Sequence, residues 1–142
     1  MKRITCILMV LFSASAAGAC QAQSAAAARD MSSPRIEHIE TSAKFLAKSD
    51  CMNTSETVTA DITDESGIKS ATLWYRVGTD QKYTPVNMNS QGSRYSLTVK
   101  ALDAPGGEYG TWEFYITAED QAGNKSQTPL DTSVQFLPCV AS

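Results

Sequence analysis

Between residue 34 and the C terminus, apolar and polar residues alternate along short stretches that are separated by turn residues. A period of two is typical of β-strands that bury one face, whereas an amphipathic helix repeats about every 3.6 residues. The alternation is clearest at 111–119, where it predicts one face carrying Trp112, Phe114, Ile116 and Ala118 and the other carrying Glu113, Tyr115, Thr117 and Glu119. The pattern predicts an all-β domain with 111–119 as a central strand.

Further strands are predicted at 35–40, 56–63, 68–77, 82–88, 95–101 and 125–137. Their inward-facing residues should be Val58, Ala60, Ile62, Ala71, Leu73, Tyr75, Val77, Tyr95, Leu97, Val99, Ala101, Val134 and Phe136. Pro85 lacks the N–H group that a central ladder needs, so 82–88 is predicted to be an edge strand, and Pro129 should break the last strand. The segment 41–55 has no clear period, and a brief helical turn is kept open there.

Two turns share one chemistry, DESG at 64–67 and DQAG at 120–123, and each is followed closely by Lys-Ser. The aspartate at the first position can accept backbone N–H bonds, and the glycine at the fourth can adopt the positive φ of a bulged type I turn. A further turn is predicted at 89–92 and a crossing loop at 104–110. Because the strands around the two turns differ, we interpret the match as the same type of turn formed twice and not as an internal repeat.

The strings SGIKSATLWYRVG, YTPVNM, RYSLTV and EFYITAEDQAGN, within 56–129, resemble the immunoglobulin-like and fibronectin type III-like modules of secreted and surface bacterial proteins. The ending AEDQAGN at 118–124 is the most recognisable part. This resemblance implies an immunoglobulin-like antiparallel β-sandwich of about seven strands over 34–142. Such modules act as spacers, adhesion units or ligand binders. The inter-sheet disulfide packed on a tryptophan, a hallmark of antibody domains, is absent from the sequence.

In this topology the strands at 68–77 and 111–119 are antiparallel neighbours. Matching their buried faces predicts that Trp74 lies opposite Tyr115 and that Arg76 lies opposite Glu113. The turns at 64–67, 89–92 and 120–124 should gather at one end of the sandwich. At the opposite end, the end of the last strand should lie beside the start of the strand at 56–63, so that Cys139 can reach Cys51.

The N terminus predicts a secretory signal peptide at 1–19, with a basic start, a short apolar run and a small-residue exit. The segment Ala17-Gly-Ala-Cys20 resembles the lipobox of bacterial lipoproteins, which implies acylation of Cys20 and, because Gln21 rather than Asp follows, an outer-membrane address. Cleavage by ordinary signal peptidase, which would leave a soluble periplasmic or secreted protein, stays open because Ala17-Gly-Ala19 also fits its small-x-small rule. Residues 20–33 are predicted to be a flexible tether, with a short helix as the alternative.

Three cysteines remain after cleavage, Cys20, Cys51 and Cys139. An odd thiol in an oxidising compartment needs an explanation, and acylation of Cys20 supplies one. Cys51 and Cys139 are then predicted to form a disulfide that brackets nearly the whole fold. A metal or redox role is disfavoured, because the chain has no Cys-x-x-Cys motif and a single histidine, His38.

The formal net charge of −3, with no run of Lys or Arg, argues against nucleic-acid binding and against a basic membrane-binding patch. Contact with a membrane is expected only through the lipid anchor. No Ser-His-Asp or Cys-His set and no glycine-rich phosphate loop can be assembled, so we expect no catalytic residues and no cofactor. A paired-carboxylate hydrolase is conceivable through the acidic residues near the turns.

The acidic residues Asp61, Asp64, Glu119 and Asp120 are also a candidate calcium site, because hard cations prefer clustered oxygen ligands. The competing interpretation, which the sequence favours, is that Asp64 and Asp120 only close their turns.

The second candidate is the outward pair Trp74 and Tyr115, with Arg76 and Thr117 beside them. Exposed aromatic residues on a flat sheet can anchor a protein partner or stack on a sugar. The alternative is a cross-strand pair that only stabilises the sheet, covered in part by the segment around Phe45. We expect a non-catalytic envelope module that binds a protein partner, with a structural spacer or accessory subunit and a polysaccharide-binding module as alternatives.

Overall fold

The computed structural model describes residues 29–47, 53–78, 82–103 and 110–138, which form ten strands and one 3-10 helix. The strands are β1 Arg35–Thr41, β2 Phe45–Leu46, β3 Ser55–Thr63, β4 Ile68–Val77, β5 Thr84–Asn87, β6 Asn89–Gln91, β7 Arg94–Lys100, β8 Gly110–Asp120, β9 Lys125–Gln127 and β10 Asp131–Phe136. The 3-10 helix is Ala101–Asp103. Within this part of the chain no helix has the length and hydropathy needed to span a bilayer.

The strands form two sheets that pack as a sandwich, which confirms the predicted all-β class. One sheet has the order β1-β3-β7-β6, and the other has the order β2-β10-β8-β4-β5, with β9 paired to β8. If the short strands β2, β5 and β9 are not counted, then β1, β3, β7 and β6 are the first, second, fifth and fourth strands. These are the strands that share one sheet in an immunoglobulin-type sandwich. The strands outnumber the predicted seven or so because several are only two to four residues long and because Pro129 divides the last strand in two.

The core lies between the two sheets, as the alternation predicts. The inward residues of β8 are almost fully buried: Trp112, Phe114, Ile116 and Ala118 expose at most 3% of their surface. The predicted inward residues of β3, β4 and β10 are buried as well, and Leu97 of β7 is partly buried against the core.

The predicted register between β4 and β8 is confirmed. Trp74 pairs with Tyr115 and Arg76 pairs with Glu113, and the antiparallel pairing extends to Val77 and Trp112. A slip of one residue would place the buried side chains of one strand on the same face as the exposed side chains of the other, so the alternation excludes registers shifted by an odd number of residues.

One local prediction is wrong. The segment 89–92 is not a turn: Asn89–Gln91 is the strand β6, which pairs with β7, and the turn follows at Gly92, whose φ is 65°. The chain changes sheets at Met88, which is buried and whose N–H donates to the carbonyl of Ala71. Within 41–55, for which the sequence leaves a brief helical turn open, the described residues contain the short strand β2, parallel to β10.

The predicted signal peptide at 1–19, the acylated Cys20 and the disulfide between Cys51 and Cys139 lie outside the described residues.

Candidate functional site

An aromatic face, formed by Trp74, Tyr83 and Tyr115, lies on the outer side of the β10-β8-β4-β5 sheet. The rings of Trp74 and Tyr115 stack with their centroids 5.9 Å apart and their planes 6° from parallel. Tyr83, which precedes the edge strand β5, meets Tyr115 edge-on at 5.0 Å. All three side chains are half-buried. Phe45 does not lie among them along the sheet, since its strand β2 is separated from β8 by β10.

A nearly buried ion pair supports this face. The guanidinium of Arg76 donates to Glu113 Oε2 through Nε at 2.7 Å, and the hydroxyl of Tyr83 donates to the same oxygen at 3.1 Å. Arg76 also lies 4.5 Å from the centre of the Tyr83 ring. The hydrogen bond to Glu113 raises the pKa of Arg76, while burial, followed by the bond to Glu113, raises the pKa of Tyr83. The polar groups of the face are therefore held in one arrangement before any ligand arrives.

A groove of about 440 Å³ adjoins the aromatic face. It is lined by Ser70, Thr72, Trp74, Thr117, Ala118, Glu119, Lys125, Ser126 and Gln127. Trp74 Nε1 donates to Thr117 Oγ1 at 3.0 Å, which fixes the indole at the groove's edge. The groove offers hydroxyl, amide, carboxylate and ammonium groups beside an aromatic plane, which is the chemistry of recognition by stacking and hydrogen bonding.

Glu119, one of the predicted calcium ligands, belongs to this groove. Its carboxylate lies 2.6 Å from Lys69 Nζ and 3.2 Å from Lys125 Nζ. The hydrogen bonds from Lys69 and then Lys125 lower the pKa of Glu119. Two ammonium groups on one carboxylate leave it poorly suited to hold a cation.

Asp61, another of the predicted calcium ligands, does not lie with Asp64 and Asp120 either. It is on the outer face of the other sheet, where its Oδ2 is 3.1 Å from His38 Nδ1 and its Oδ1 is 3.5 Å from Arg94 Nη1. Of the four predicted calcium ligands, only Asp64 and Asp120 come together.

Asp64 and Asp120 close their turns as predicted. Asp64 Oδ1 accepts bonds from the N–H and hydroxyl of Ser66 at 2.9 and 2.8 Å. Asp120 accepts the N–H and side-chain amide of Asn124, both at 2.8 Å. The N–H of Gln121 donates to the carbonyl of Gly67 at 3.0 Å, so the two turns are joined at one end of the sandwich.

Asp30, which lies within the predicted tether at 20–33, is a third carboxylate at this end. Asp30, Asp64 and Asp120 each present an oxygen, and these oxygens lie within 4.8 Å of one another. A local signal was present: Asp30 and Ser32 have the same Asp-x-Ser spacing as Asp64 and Ser66, and Asp30 Oδ1 accepts both the N–H and the hydroxyl of Ser32. Such a turn indicates ordered backbone rather than a flexible linker.

No protein-family model and no curated protein shows a significant match to the chain.

Proposed function

We propose that this protein is a non-catalytic binding module of the cell envelope and that the aromatic face contacts a protein partner. The observation that carries the proposal is the clustering of Trp74, Tyr83 and Tyr115 with Arg76 on the outer side of one sheet. Trp, Tyr and Arg are the residues most enriched among those that dominate protein–protein binding energy.

The internal contacts of the face favour binding with little rearrangement. The indole is fixed by Thr117, and the Arg76 guanidinium is fixed by Glu113 and Tyr83. Side chains that are already ordered lose less conformational entropy on association than mobile ones. The same contacts also stabilise the sheet, so a test must separate loss of binding from loss of folding.

Photo-cross-linking from two matched threonines makes that separation. Thr72 lies in the groove beside the aromatic face, whereas Thr98 is exposed on the outer side of the other sheet. A photoreactive residue at Thr72, in the full chain in its own envelope, should give a discrete adduct, and the same residue at Thr98 should not. Adding Tyr115→Ser should abolish the adduct while circular dichroism shows the same strand content.

Two results would contradict the proposal. One is the absence of any adduct from Thr72, and the other is an adduct that survives Tyr115→Ser unchanged. Equal adducts from Thr72 and Thr98 would mean that the contacts reflect crowding in the envelope rather than a defined face.

A polysaccharide is the second candidate ligand, because the groove combines Trp74 with short hydroxyl and amide side chains. Sugars are bound by stacking on an aromatic plane together with hydrogen bonds to their hydroxyl groups. A glycan array with the purified chain tests this: binding that is lost in Trp74→Ala and kept in an Arg35→Ala control favours the polysaccharide. Failure on every glycan leaves the protein partner.

The envelope address rests on the N-terminal sequence. We propose that Cys20 carries the lipid anchor and that the domain is an outer-membrane lipoprotein, acting as a binding unit or as an accessory subunit of an envelope assembly. Labelling with a palmitate analogue should mark the full-length chain and should disappear in Cys20→Ser. Labelling that persists in that variant would contradict acylation at Cys20, whereas an unlabelled protein recovered from the periplasm would favour the soluble alternative.

A further inference from the structure

Three acidic side chains from separate parts of the chain meet at the turn-bearing end of the sandwich. Asp30 precedes β1, Asp64 follows β3, and Asp120 ends β8. Besides the bond that joins the two turns, the side-chain amide of Asn124 donates to the carbonyl of Asp30 at 3.2 Å. The backbone positions of all three are therefore tied to one another.

These carboxylates are enclosed to different degrees. Asp120 exposes 0% of its surface, and Asp64 and Asp30 are half-buried. The oxygen Oδ2 of Asp30 exposes less than 1 Å² and accepts no hydrogen bond from any described residue. A buried carboxylate oxygen without a donor is costly, because it has given up water without replacing it.

No Lys, Arg or His among the described residues forms an ion pair with Asp30, Asp64 or Asp120. Nearby cations are used elsewhere, since Lys69 and Lys125 both bind Glu119. Like charges held this close repel each other unless a positive charge lies between them.

Closing the turns does not account for this arrangement. Asp64 and Asp120 obtain their donors from Ser66 and Asn124, within their own turns. Neither turn requires Asp30, and its buried Oδ2 remains without a donor. A bound cation would be a partner for Asp30 Oδ2 and would place a positive charge between the three carboxylates.

We propose that Asp30, Asp64 and Asp120 bind one divalent cation, and that this cation is calcium. Calcium takes six to eight oxygen ligands at about 2.3–2.6 Å, so two of its ligands can stand up to about 5 Å apart, which accommodates oxygens that lie within 4.8 Å of one another. Magnesium requires tighter octahedral geometry, and zinc prefers nitrogen and sulfur ligands. The site lies at the rim, apart from the aromatic face, and it goes beyond the proposed function.

The cation would join the segment before β1 to both acidic turns. Asp30 is the only one of the three ligands outside the strands and their turns, and it lies near the point where the predicted tether from Cys20 enters the domain. Binding would therefore hold the entry segment against the sandwich and set the orientation of the domain relative to its anchor.

Calorimetry with calcium chloride, on the mature chain freed of metal by chelator, tests the proposal. We expect about one calcium per chain and a rise in melting temperature, with affinity in the ~10⁻⁴–10⁻³ M range of extracellular modules. Asp30→Asn should weaken binding at least ~10-fold by removing one charged ligand. The matched control is Asp61→Asn, which changes a carboxylate held by His38 and Arg94 and should bind calcium like the wild type.

Asp30 is the chosen ligand because it lies outside the strands, so its replacement tests binding even if Asp120→Asn fails to fold. Hydrogen exchange supplies a second readout: calcium should slow exchange over 29–34 in the wild type and in Asp61→Asn, but not in Asp30→Asn. No heat and no change in melting temperature at ~10 mM calcium, well above that affinity range, would overturn the proposal, as would wild-type affinity in Asp30→Asn. Equal affinity for magnesium would overturn the assignment to calcium.

Discussion

The buried carboxylate of Glu56 gives the sharpest test of how the two sheets are joined. Glu56 exposes 0% of its surface, and Oε1 accepts the N–H of Ser42 at 2.5 Å and its hydroxyl at 3.0 Å. The N–H of Ala43 donates to Oε2 at 3.2 Å. These residues connect β1 in one sheet to β2 in the other, so the side chain of Glu56 holds the crossing segment in place.

Glu56→Ala should lower the free energy of unfolding by about 2 kcal/mol. The substitution removes one buried methylene group, Cγ, which contributes about 0.8 kcal/mol. Leaving the N–H of Ala43 without an acceptor costs about 1–3 kcal/mol. The N–H of Ser42 contributes less, because it also donates to the carbonyl of Thr57 at 3.0 Å, and removing a buried charge returns part of the loss.

Urea unfolding followed by the fluorescence of buried Trp112 measures this change. The control is Glu40→Ala on the neighbouring strand β1, whose carboxylate also accepts a hydrogen bond, from Arg94 Nη2 at 2.6 Å, but whose side chain is 67% exposed. That substitution should cost less than ~1 kcal/mol, as exposed pairs do. Equal losses in the two variants would refute the reasoning, because burial would then not be what makes Glu56 matter.

The remaining predictions concern pH, a turn and the cysteines. Burial raises the pKa of Glu56 above its ordinary 4.5 despite the bonds from Ser42 and Ala43. The folded state therefore binds a proton at Glu56 more tightly than the unfolded state does. The contribution of Glu56 to stability should rise as pH falls through the folded-state pKa toward 4.5. Glu56→Gln should lack that rise when melting temperature is measured as a function of pH. Parallel curves for the wild type and Glu56→Gln would contradict the predicted direction of the pH dependence. Gly67→Ala should lower the free energy of unfolding by about 1 kcal/mol, because φ at this position is 84°. A steric clash does not contribute, since the nearest atom to an added Cβ, Gln121 Cγ, is 3.9 Å away. An unchanged melting temperature would count against backbone strain at this turn. Peptide mapping without reductant should recover Cys51 linked to Cys139, whose loss is worth ~4–5 kcal/mol in the chain-entropy model, and free thiols at both positions would refute the pairing.

The strands and the central register could be predicted because burial on one face leaves a period of two in the sequence. The same period of two also carries a signal about Glu56. Glu56 has the parity of Val58, Ala60 and Ile62, so the alternation places it on the inward face. A charged residue at an inward position predicts a buried acceptor that needs donors, and Ser42 and Ala43 supply them.

Other features depend on tertiary contacts between distant parts of the chain, which the local alternation of residues does not predict. Glu113 lies on the outward side of β8 and yet exposes only 8% of its surface, because Arg76 from β4 and Tyr83 from the approach to β5 cover it. The strand β6 follows from the sheet change at Met88 rather than from alternation, since Asn89–Gln91 contains no apolar residue. The position of Asp30 depends on the tertiary meeting of two turns that are far apart in sequence.

The two matching turns explain why the acidic residues of this end divide into two groups. Each turn begins with an aspartate and is followed by a lysine, Lys69 in one case and Lys125 in the other. The pairing of β8 with both β4 and β9 brings these lysines to either side of Glu119, so both positive charges are bound on the outer face. Asp64 and Asp120 are left at the rim without a basic partner among the described residues. A repeated local sequence thus balances the charge of the groove and concentrates uncompensated negative charge at the rim. The partner-binding and calcium proposals therefore concern separate surfaces, and a substitution at Asp30 should leave the adduct from Thr72 unchanged.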